Sequence, residues 1–115
     1  MSMKNWKRNW DHVYRRNLLA DLEGEGGAIV YDAEEGITVA VRPSVPESWA
    51  RNSVGWVKIA VAYCSDSDFF DPVRGETLAM ERAFQGETVS FPRQPGETTL
   101  EVGLNFLRFV KGDLQ

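Results

Sequence analysis

The sequence predicts an α+β domain: a small antiparallel sheet packed with an N-terminal helix, a central helix and a C-terminal helix. Three observations carry that prediction. Residues 4–22 repeat apolar side chains at steps of three or four, the spacing of one helical face. The runs 28–32, 37–41 and 56–64 are rich in β-branched and aromatic residues and read as strands. Helices and strands then mix without a regular βαβ repeat, which favours α+β over α/β.

The first helix has Trp6, Trp10, Val13, Asn17 or Leu18, and Leu22 on its apolar face. Lys7 with Asp11, and Asp11 with Arg15, are four apart and can pair on the outer face. The run Glu23-Gly24-Glu25-Gly26-Gly27 ends it, because glycine readily takes left-handed conformations. Strands 28–32 and 37–41 flank Ala33-Glu34-Glu35-Gly36, a hairpin signal. Pro43 and Pro46 bound a loop through Trp49 and Ala50, because proline breaks a strand ladder. Trp49 in such a loop either plugs the core or faces a partner.

Residues 56–64 form the strongest strand. Trp56, Lys58, Ala60 and Ala62 fall on one side, and Val57, Ile59, Val61 and Tyr63 on the other. Two largely apolar faces predict a central position. Residues 65–70 form a polar turn. Asp71 then caps a helix with Pro72 at its first position. Val73, Thr77, Met80 and Phe84 form one face of that helix, which ends near Gly86. Residues 88–91 read as a short strand and 92–96 as a turn. Residues 98–110 read as a last helix facing inward with Leu100, Leu104, Leu107 and Val110. Gly103 leaves a strand over 99–104 as the competing reading. Phe106, Leu107 and Phe109 give this helix more apolar surface than one face can bury, which predicts a homo-oligomer.

At 115 residues the chain has the size of one domain and one core. A single cysteine, Cys64, excludes an intrachain disulfide and a cysteine-based metal knuckle. The N-terminus is basic and aromatic rather than a secretory leader, and no run of about 18 apolar residues spans a membrane. The expected address is the cytoplasm. The net charge of −4 argues against a nucleic-acid partner. The charges are unevenly placed: Lys4, Lys7, Arg8, Arg15 and Arg16 crowd the start, while Asp66, Asp68, Asp71 and Glu76 lie together later.

Catalytic constellations are not predicted. A nucleophile needs a base beside it, and the only candidates are Cys64 and His12, the latter mid-helix among arginines. Asp66 and Asp68 follow a central strand, as in some magnesium phosphatases, but Phe70 stands where such sites carry threonine or valine. Asp66, Asp68 and Asp71 also lack the spacing and glycine of a calcium loop. Gly24, Gly26 and Gly27 follow a helix instead of leading into one, so no phosphate loop forms. No metal and no cofactor are expected, and the chain reads as a non-enzymatic binding protein.

The segment from Cys64 to Arg82 resembles a pattern met in short phage-encoded proteins: a strand, then Cys64-Ser65, Asp68, Phe70, Gly75, Ala79 and a closing Arg82. The likeness covers about 20 residues, and Glu76 stands where that pattern often has a base. Among such proteins, the Thoeris anti-defence sponges are similar in size and in mixing an antiparallel sheet with helices. The resemblance implies a protein that sequesters a cyclic nucleotide signal in the host cytoplasm without cleaving it. Phe69, Phe70 and Trp49 are then candidates to stack on a base, and Arg74 and Arg82 to meet phosphate. A second expectation is an inhibitor resembling anti-CRISPR proteins, blocking a host defence protein through the acids Asp66, Asp68, Asp71, Glu76 and Glu81. A third is a phage structural or assembly subunit.

Overall fold

The computed structural model describes residues 3–44, 55–63 and 72–114; side chains are described from His12 to Gly112 within these. Helix α1 (Met3–Gly24) leads to strands β1 (Ala28–Asp32), β2 (Ile37–Pro43) and β3 (Gly55–Tyr63). Helix α2 (Pro72–Phe84), strand β4 (Val89–Arg93) and helix α3 (Thr99–Leu114) follow. The four strands form one antiparallel sheet in the order β1-β2-β3-β4. The α+β class is as the sequence predicts.

Strand alternation divides the core in two, where one core was expected. Val30, Ile37, Val39, Val41, Val57 and Ile59 point to one face and pack under Val102, Phe106 and Leu107 of α3. The other face carries Ala40, Ala60 and Ala62, which meet Ala79, Met80 and Ala83 of α2 and Leu22 of α1. Burying each branched side chain contributes about 1.5–3 kcal/mol, so the valine-rich layer holds most of the apolar stabilisation. The alanine layer does something else: its small side chains let α2 lie close to the sheet. β2 is buried on both faces, as a central strand should be.

Two prolines lie inside strands, correcting their expected place in loops. Pro43 ends β2 opposite Val57, and Pro92 sits within β4 opposite Trp56. β4 is an edge strand, where a missing N–H need not break the ladder. The strand therefore runs past residue 91 to Arg93.

Residues 99–114 are helical, which resolves the competing strand reading. Thr98 caps the helix: its hydroxyl accepts from the Glu101 amide at 3.1 Å. Its inward face differs from expectation. Val102, Phe106 and Leu107 are buried, whereas Leu100 and Leu104 are 49% and 41% exposed. Gly103 explains the turn of the helix. A methyl group there would stand 3.1 Å from Val30 and 3.2 Å from Val41, so α3 approaches the sheet at its smallest residue. Phe106 then meets Phe91 of β4 edge-on, with ring centres 5.3 Å apart.

In α1, Leu22 is fully buried and Leu18 half-buried, so Leu18 and not Asn17 takes the inward position, while Val13, expected on that face, is exposed. The side chains of Trp6, Trp10, Lys7 and Asp11 lie outside the described residues. Arg15 crosses to α2, where it donates to Glu76 at 2.6 Å. Arg42 gathers the opposite end. It makes two 2.8 Å bonds to Glu25, donates to the last-turn carbonyl of Ala83, and lies 4.7 Å over the Phe84 ring. A cation suits that position, because a helix C-terminus carries partial negative charge.

Candidate functional site

The segment that carries most of the expected site residues falls largely outside the described part of the chain. Trp49, Cys64, Asp66, Asp68, Phe69, Phe70 and Asp71 all lie there. Arg74, Glu76, Glu81 and Arg82 are placed, all on α2. Arg74 is exposed in the first turn and has an interaction partner of its own. Glu76 is held by Arg15, and its side chain is only 14% exposed.

Arg82 donates to the Val61 carbonyl at 2.6 Å. The reason is topological. The β3–β4 pairing stops at Ile59 opposite Val89, so the later residues of β3 have no strand beyond them on that side. Arg82 satisfies one carbonyl that β4 leaves open. In this structure Arg82 and Glu76 thus both hold the fold together, and they point to different neighbours.

A second group of residues forms a more open arrangement. Trp56 and Lys58 lie on the alanine side of β3, but before α2 begins to cover it. Trp56 is 60% exposed and Lys58 is exposed. They stand two residues apart on one face, a spacing of about 7 Å. Across the ladder, Lys58 faces Arg42 on one side and Ser90 on the other, and Trp56 faces Pro92. Phe84 closes the corner beneath the Arg42 guanidinium.

This corner places an indole, an ammonium and a guanidinium at neighbouring positions of one sheet face. Arg42 is fixed in place by Glu25 and Ala83, whereas Lys58 has no ion-pair partner among the described residues. The signal for it lies in β3 itself. Along one face the residues change from Trp and Lys to Ala and Ala, and the change marks where the helix cover starts.

A third polar cluster ties α3 to the β1–β2 hairpin. Lys111 bonds Asp32 at 2.8 Å and lies 3.7 Å from Glu34. Lys111, and then the Glu35 amide, hold the Asp32 carboxyl below its ordinary range, and Asp32 in turn raises Lys111. Among the described residues no group of acids, histidines and cysteines could hold a metal ion, and no helix is long and apolar enough to cross a membrane. Compared with protein-family models, curated proteins and solved structures, the chain matches none.

Proposed function

We propose that this protein works without catalysis, by binding a nucleotide on the open corner of its sheet. The observation that carries the reading is the exposed Trp56 indole beside exposed Lys58, on a part of the sheet face that no described helix covers. An aromatic ring on such a face stacks on any base, at about 1–3 kcal/mol per base. Lys58 then meets phosphate oxygens as a cation. The resemblance of the Cys64–Arg82 segment to phage anti-defence proteins supplies the setting: the ligand is a cyclic nucleotide signal, and the protein withdraws it from a host defence.

Thermal melts with a panel of cyclic mono- and dinucleotides test this. A true ligand at a hundredfold excess over Kd adds about 2.7 kcal/mol, or roughly 10 °C in Tm for a chain of this size. Trp56→Ala and Lys58→Ala should abolish the shift and leave the unliganded melt nearly unchanged. A panel that moves Tm nowhere, or a shift that survives both substitutions, defeats the reading.

A further inference from the structure

We propose that the open edge of β1 docks an extended segment of a partner protein, one with apolar residues at alternate positions and lysine or arginine around them. The sheet has two edges, and they differ. β4 carries Pro92, which removes a donor and blunts that edge against strand addition. β1 reads Ala-Ile-Val-Tyr-Asp, with neither proline nor lysine. No described strand pairs with its outer side.

The flanks of β1 are apolar. Gly103 sets α3 over Val30 and Val41. Phe106 and Phe109 both turn towards Phe91, on the β4 side of the helix. Helical periodicity therefore turns Leu100 and Leu104 to the other flank, beside β1. They are four apart, share one face, and are 49% and 41% exposed. On the opposite face of the strand Tyr31 is 50% exposed. Backbone donors and acceptors thus lie between apolar side chains, the arrangement in which an added strand gains affinity from main-chain bonds and specificity from alternate residues.

Charge selects the occupant. Glu34 and Glu35 stand past one end of β1, Asp21 and Glu23 past the other, and Glu101 lies beside Leu100; all five are exposed. Of the nearby cations, Arg42 is already paired with Glu25, and Lys111 is paired with Asp32 and reaches Glu34 only at 3.7 Å, so one ammonium stands against the three acids Asp32, Glu34 and Glu35. Arg108 on α3 is the exception, with a bond to Asn105 and no acid partner among the described residues. A second copy of this chain, added antiparallel, would bring the hairpin acids of one against the α1 acids of the other. A basic segment meets attraction at both ends.

The test uses the whole protein and a labelled peptide of about seven residues, alternating valine and threonine with lysine at each end, matched to the length of a short strand. Anisotropy should show saturable binding that weakens with salt, and amide resonances of residues 28–32 should shift. Leu100→Ser with Leu104→Ser should weaken binding about tenfold, and Glu34→Lys with Glu35→Lys should do so chiefly at low salt. The proposal is overturned if the peptide does not bind, if the shifts appear elsewhere, or if light scattering finds a dimer that Leu104→Ser dissociates. Nucleotide binding at Trp56 is read separately, so either site can fail alone.

Discussion

The guanidinium of Arg15 donates to the carboxylate of Glu76 at 2.6 Å, joining α1 to α2 across 61 residues of sequence. Leu22 and half-buried Leu18 and Leu19 are its apolar company in holding α1 to the domain. Arg15→Ala strands Glu76, which is mostly covered, and should lower stability by about 1–2 kcal/mol, a charged hydrogen bond discounted for partial exposure. Denaturant melts of Arg15→Ala, Glu76→Gln and the double variant check this. If the single losses simply add, the pair is not coupled and the account fails.

Thr38 is fully buried in β2, and its hydroxyl has no hydrogen-bond partner among the described residues. An unsatisfied buried hydroxyl costs about 1–3 kcal/mol. Thr38→Val keeps the branched shape and removes the polar atom. It should raise stability by about 1 kcal/mol in chemical denaturation. A loss would mean that the hydroxyl is bonded.

Gly27 sits where the α1–β1 turn presses on the sheet. A methyl group there would lie 2.5 Å from the Val41 carbonyl oxygen and 2.6 Å from Leu22. The carbonyl belongs to a central strand and cannot give way cheaply. Gly27→Ala should therefore destabilise by about 1–3 kcal/mol, whereas Gly24→Ala, with open space around it, should be tolerated. Equal melting of the two variants would contradict the packing described.

The Asp32–Lys111 pair makes stability depend on pH in a stated direction. Asp32 has a lowered folded-state pKa, so its contribution is present above the ordinary carboxylate range and is lost as pH falls through the folded value. Lys111 is raised, so its contribution persists at neutral pH and fades only in strong alkali. Asp32→Asn should be less stable than the parent at pH 7, by the small amount expected of a partly exposed pair. The difference should close on acidification below the carboxylate range. A gap that stays constant with pH would assign it to something other than this charge.

Much of the fold was legible locally. The β-branched runs at 28–32 and 37–41, the glycine loop between them and Pro72 at the start of α2 each specify their own element. The site was less legible. Arg82 and Glu76 are polar residues on an amphipathic helix, and nothing local says that one serves the Val61 carbonyl and the other Arg15. Trp56 and Lys58 read as one face of a central strand. That this face is open depends on where α2, encoded later, stops covering the sheet.

Helix α3 marks the boundary most clearly. Its own sequence determined that it carries more apolar surface than one face needs, since that follows from composition within the segment, but with Gly103 in it the choice between helix and strand over 99–104 was left to the tertiary structure. Which part of that surface turns inward was decided by tertiary contact. Gly103 admits Val30 and Val41, Phe106 finds Phe91, and Leu100 and Leu104 are left outside. The physical reason is that a helical repeat fixes angles between side chains but not the rotation of the helix, which is chosen by the shape of the surface it meets.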